Sequence, residues 1–142
     1  MSEARQIVER LRLAPHPEGG WYRETWREPS AKDGRALATA ILFLLEAGQR
    51  SHWHRVDAAE LWLWHAGAPL WLGQAASEAG PVQAVRLGPG VLAGEQVQCR
   101  IPAGHWQSAE ARDGWALVSC VVVPGFEFAG FELASPGWAP GG

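Results

Sequence analysis

Apolar positions near the start of the chain repeat at helical spacing, with Ile7, Val8 and Leu11 on one stripe after Ser2, a good helix N-cap. The pattern predicts a helix over 2–13, ended by Pro15, Pro17 and the Gly19-Gly20 pair. From Trp21 onward the period becomes two. Strand-like runs follow one another: Trp21 to Arg27, Leu37 to Leu45, Arg50 to Val56, Glu60 to His65 and Pro69 to Gln74. The series continues with Val82 to Leu87, Gln96 to Ile101, Trp106 to Ala109, Ala116 to Val123 and Phe126 to Leu133. Turn signals separate them, among them Asp33-Gly34, Ala79-Gly80-Pro81, Gly88-Pro89-Gly90 and Asp113-Gly114. Ten short strands after one helix, with no helical segments between them, predict a barrel or double-sheet roll. The tail over 134–142 is expected to be flexible.

At 142 residues, 47% of them hydrophobic, the chain is one domain over 1–142 with enough apolar surface for a core. The formal net charge is −3 and no basic cluster is present, so nucleic acid is not an expected partner. The opening MSEARQIVER lacks the apolar run of a signal peptide, and Leu37 to Leu45 is too short to span a bilayer. No membrane association and a cytoplasmic location are therefore expected, with Cys99 and Cys120 reduced. Nine tryptophans are expected mostly to pack the core and partly to offer stacking surfaces to a ligand.

Candidate chemistry concentrates in Ser51-His52-Trp53-His54-Arg55-Val56-Asp57-Ala58-Ala59-Glu60. Residues two apart on a strand share a face, about 6.5–7 Å apart along the backbone. His52 and His54 are thereby expected to converge on one ion, with Glu60 returning to the same point from the next strand. Zn, Ni, Mn or Fe accept such a set. Two inward histidines held by hydrogen bonds are the structural alternative. Arg55 and Asp57 read as a local ion pair. His16, Glu18, Tyr22 and Glu24 flank the Gly19-Gly20 turn, where by residue type alone His16 and Glu18 are exposed loop residues.

The stretch from His52 to Gly67 resembles the first motif of the cupin superfamily, and Pro102-Ala103-Gly104 its second. The chain is closer still to a small single-domain cupin branch of unknown function. The resemblance lies in Pro15-His16-Pro17-Glu18-Gly19-Gly20-Trp21-Tyr22-Arg23-Glu24-Thr25, in Trp53 to Leu70, and in Pro102-Ala103-Gly104 with Trp106-Gln107. It ends in Pro124-Gly125-Phe126-Glu127-Phe128 and Phe131-Glu132.

This resemblance implies an all-β cupin jelly-roll barrel over 20–133 with one short N-terminal helix, paired as a homodimer. It also implies a divalent metal on His52, His54, Glu60 and Gln107, and a small-molecule ligand against His16, Glu18, Tyr22, Glu24, Trp62 and Trp106. Two departures bear on the metal. Five residues separate His54 from Glu60, more than in cupins generally, and Gln107 stands at the usual last-histidine position, with His105 two residues before it as a substitute. On this reading Gln107→His should complete a three-imidazole site. The expected activity is isomerase- or epimerase-like chemistry on a sugar or carbonyl compound, with His54 or Glu60 as base. The alternatives are a metal-dependent dioxygenase and a non-catalytic binder of sugar-like ligands.

Overall fold

The computed structural model describes residues 1–30, 32 and 34–142. Helix α1 (Glu3–Arg10) begins at Ser2, whose side chain accepts the Arg5 N–H. Eleven strands follow: β1 (Ala14–Pro15), β2 (Trp21–Glu28), β3 (Ala38–Leu45), β4 (Arg50–Val56), β5 (Ala59–Gly67) and β6 (Leu70–Ala75), then β7 (Gln83–Leu87), β8 (Gln98–Ile101), β9 (Trp106–Glu110), β10 (Ala116–Val123) and β11 (Phe131–Leu133). They form two antiparallel sheets, ordered β1-β2-β3-β10-β5-β8 and β11-β4-β9-β6-β7. This is the all-β double-sheet roll with one leading helix that the alternating pattern predicts. Asp33 of the expected Asp33-Gly34 turn lies outside the described residues.

Alternation decides what each face buries. Along β10, Ala116, Val118, Cys120 and Val122 are buried while the residues between them are not. Ala116, Val118 and Cys120 join Phe43, Trp62, Leu70, Leu72, Leu87 and Ile101 between the two sheets, while Val122 packs with Val56 and Ala58 in a second cluster. Helix α1 lays Ala4 and Val8 on the outer face of the larger sheet, over Leu44 and against Trp21 and Trp115. Trp115 Nε1 donates to Glu3 Oε1 at 3.0 Å, which ties the helix to the barrel. Among the described residues no helix is long and apolar enough to cross a membrane, and both cysteines are free thiols.

Two expectations are corrected. The run Phe126 to Leu133 is not one strand: Phe128–Gly130 is a 3₁₀ turn, and only Phe131–Leu133 pairs with β4. The turn closes with the Gly130 N–H donating to Glu127 O at 3.0 Å, and it packs so tightly that a Cβ on Gly130 would overlap the Asp57 carboxylate. The tail beyond Leu133 is also packed. Ala134 N–H donates to Trp53 O, Gly141 N–H donates to Glu78 O, and the Trp138 ring lies 4.5 Å from that of Trp106.

Candidate functional site

One end of the roll opens into a cavity of about 690 Å³, with buried His54, Glu18 and Glu60 among its lining residues. The segment before β2 brings His16 and Glu18 inward. Its backbone is pinned to β4 by the His52 N–H donating to Glu18 O at 2.8 Å. The turn needs glycine: Gly19 has φ +107, and a Cβ there would overlap Arg50 O.

Strand β4 presents His54 through a β-bulge. Ser51 pairs with Ala109 and His54 with Gln107, so three steps on β4 oppose two on β9. Ser51 and His54, three apart, therefore both reach Glu18. Ser51 Oγ–H donates to Glu18 Oε1 at 2.8 Å, and His54 Nε2 lies 3.1 Å from Glu18 Oε2. Because His54 Nδ1 sits 2.7 Å from His52 O, which can only accept, the ring proton is on Nδ1 and Nε2 presents a lone pair. Glu18 Oε2 is left to hold the proton that the two groups share.

Glu60 is fixed by a second chain. Trp62 Nε1 donates to Gln107 Oε1 at 2.8 Å, and Gln107 Nε2 donates to Glu60 Oε1 at 2.9 Å. The Cys120 thiol also hydrogen-bonds to Glu60.

Burial sets the electrostatics. It pushes the Glu18 carboxyl up to about 8, against the opposing Ser51 bond. Burial raises Glu60 to about 7; His54 opposes the rise and Glu18 adds to it. His54 is lowered, mainly by burial, and His16 falls to about 4 through burial and then the nearby His54. Near neutral pH Glu18 is thus mostly protonated and both imidazoles are neutral, so the 3.8 Å approach of His16 Nδ1 to Glu18 Oε2 is not an ion pair. Instead His16 Nδ1 accepts the Glu18 N–H at 3.1 Å.

The sign of the pH dependence follows. Glu18 and Glu60 bind protons more tightly folded than unfolded, so they favour folding at low pH and lose that contribution as pH rises toward about 7 and 8. His16 and His54 act oppositely and regain stability as pH rises to the unfolded value of 6.5. The effects oppose each other below that value. Above it only the carboxyls titrate, and stability should fall until about pH 8 with a slope near 1.4 kcal/mol per pH unit for each proton released. Glu18→Gln should flatten this fall in thermal melts at pH 6.5 and 8.5; an equal fall in the variant would contradict it.

The structure sorts the expected site residues. His16, Glu18, Tyr22, Glu24, His54 and Glu60 all line the cavity. His52 does not, because the bulge breaks the two-residue alternation and its Nε2 lies 2.9 Å from Ser135 O. Trp62 and Gln107 are buried behind the lining, and Trp106 packs on the outer side among Trp53, Trp138 and the Arg55 guanidinium. His105 faces Gln74, 3.3 Å away. Arg55 pairs with Glu132 and Asp57 with Arg35 rather than with each other.

The expected metal set is therefore not assembled. The Gln107 oxygen already accepts a tryptophan N–H, and among the described residues no group of three or more His, Cys, Asp or Glu side chains is arranged to hold an ion. Gln107→His should accordingly gain no Zn affinity in titration calorimetry. It should instead lower stability by about 1–3 kcal/mol through the broken Trp62–Gln107–Glu60 chain. Sub-micromolar Zn binding by the variant would overturn this. Ser51 lies in the candidate stretch and Cys120 is expected as a reduced thiol, but no charge or motif marks either one as a site residue.

Comparison with known proteins agrees with this architecture. The model of a family described as Cupin superfamily (DUF985) matches residues 5–134. A Shewanella oneidensis protein of known crystal structure is 40% identical, with TM-score 0.87 over 95% of this chain and 86% of that one. A hypothetical protein from Leishmania major is 31% identical, with TM-score 0.85 over 96% of this chain and 90% of that one. Oxalate decarboxylase from Bacillus subtilis shares the fold at 17% identity and TM-score 0.63, covering 84% of this chain and 29% of that one. No curated protein matches.

Proposed function

Since the chain belongs to the cupin superfamily, in its DUF985 group, we propose that its barrel cavity binds a small carbonyl or sugar-like compound and moves a proton on it. The observation that carries this reading is the buried Glu18–His54 contact at 3.1 Å in the same cavity as Glu60. A carboxyl raised to about 7 is half ionised at neutral pH, which suits a general base. Glu60 removes the proton α to the substrate carbonyl. The Glu18–His54 pair delivers its shared proton to the developing oxyanion, so that an enediol forms. Glu60 then returns its proton to the neighbouring carbon while the Glu18–His54 pair takes the proton of the other enediol hydroxyl, which gives the isomer and restores both groups to their starting states. Apolar Ile41 and Val122 from one sheet and Val56 from the other also line the cavity.

The test is exchange. Aldoses, ketoses, α-hydroxy ketones and their phosphate esters are incubated with the protein in D2O and followed by proton NMR. Loss of one α-proton signal from at least one compound is the expected result. A compound that binds in the cavity while its α-proton stays put throughout would overturn the catalytic part and leave a binding protein.

A further inference from the structure

The mouth of the cavity carries cations that the reaction described above does not use. Its exposed side chains include Arg12, Arg23, Arg27, Glu24 and Glu127. The carboxylates are taken: Arg27 donates to both oxygens of Glu24 at 2.8 Å, and Arg35 Nε lies 3.4 Å from Glu127. Arg12 and Arg23 have no carboxylate within ion-pair distance among the described residues. They are neighbours, because Arg23 Nε donates to Leu11 O at 2.8 Å and so holds its guanidinium beside the residue preceding Arg12.

Arg12 is also placed at a cost. It follows the C-cap of α1 with φ 57, the one described non-glycine residue with positive φ. Glycine normally fills that position, because other side chains are strained there. A glycine would end the helix more cheaply but would leave the mouth one cation short. Burial holds Glu18 toward its neutral form, so that carboxyl puts little negative charge behind the two arginines.

We infer that Arg12 and Arg23 form an anion-binding subsite at the cavity mouth, so that the ligand is a small molecule with a phosphoryl or carboxylate group at one end. The fork of a guanidinium matches either group. The neutral end of such a ligand reaches toward His54 and Glu60, which deepens the reading of the cavity as a binding site without depending on turnover.

Titration of the intact protein with inorganic pyrophosphate and with malonate, followed through the arginine Nε–Hε signals in nitrogen-15 NMR, tests this. Saturable shifts of Arg12 and Arg23 with a dissociation constant on the order of millimolar are expected for at least one probe. The tighter probe identifies the group. Arg12→Gly and Arg23→Gln should each weaken binding about five-fold or more, and Arg12→Lys should recover part of it. Arg12→Gly relieves backbone strain, so thermal melting confirms that this variant is folded. Arg86 and Arg112, stacked on Trp71 away from the cavity, should stay unmoved. No saturable shift up to about 20 mM, equal shifts at Arg86 and Arg112, or unchanged affinity in both variants would overturn the subsite. Binding at Arg12 and Arg23 without any α-proton exchange keeps this inference and sinks only the catalytic one; exchange without such binding does the reverse.

Discussion

His54→Ala is expected to slow α-proton exchange by about 10³-fold on any compound the cavity turns over, within the range a positioned acid or base supplies. The loss exceeds that of one hydrogen bond because His54 Nε2 and Glu18 Oε2, 3.1 Å apart, act as one proton carrier. Without the imidazole, Glu18 is a buried acid with no partner to exchange its proton, held only by the Ser51 hydroxyl. Glu60→Gln should cause a comparable loss by removing the base while keeping its shape and its neighbour Gln107. Ligand affinity, read separately by calorimetry, should change less than tenfold in both variants. If exchange continued at the wild-type rate in either variant, the assigned roles would be wrong.

Gly19→Ala should destabilise the fold strongly, for a reason that also disables the site. At φ +107 an L side chain is strained, and here a Cβ would overlap the Arg50 carbonyl of β4. That backbone cannot retreat easily, since the adjacent His52 N–H is bonded to Glu18 O. Strain and collision together should cost about 3 kcal/mol, or roughly 10 °C in melting temperature for a domain of this size. Gly48→Ala separates the two causes. Gly48 also has positive φ, at +85, but nothing lies within 4 Å of its added Cβ, so it should lose only about 1 kcal/mol. Similar losses in both variants would mean that the Gly19 turn is not clamped against β4. If it is clamped, Gly19→Ala should also return Glu18 toward the ordinary carboxyl range as the segment lifts from its buried seat.

The alternating pattern was sufficient for most strands because one face of each packs into a single core. Ala116, Val118 and Cys120 on β10 are the plainest case. Pattern reading failed where pairing between distant strands overrides local alternation. Ser51-His52-Trp53-His54 looks like a regular strand with two histidines on one face. The extra residue that turns His52 away is set by its register with β9, some fifty residues later, and nothing local announces it. The position of Gln107 in the second motif makes it a candidate metal ligand; its partners Trp62 and Glu60 become visible only once β5 and β9 face each other. Residue type alone makes His16 and Glu18 exposed loop residues and only the family resemblance puts them at the pocket, because their burial depends on β4 closing over the Gly19-Gly20 turn. Trp138 was a legible clue that went unread. An aromatic ring in a Pro- and Gly-rich tail marks an anchor, and it packs on Trp106.

Burial should keep the cavity carboxyls protonated below neutral pH and poised to exchange protons near it. Carbon-13 NMR of glutamate side-chain carboxyls, titrated from pH 4 to 9 in the wild type and assigned with Glu18→Gln and Glu60→Gln, measures this directly. The account predicts two signals still in their protonated form at pH 6, with Glu60 titrating near 7 and Glu18 near 8. Both signals titrating below pH 5, with the exposed glutamates, would contradict it.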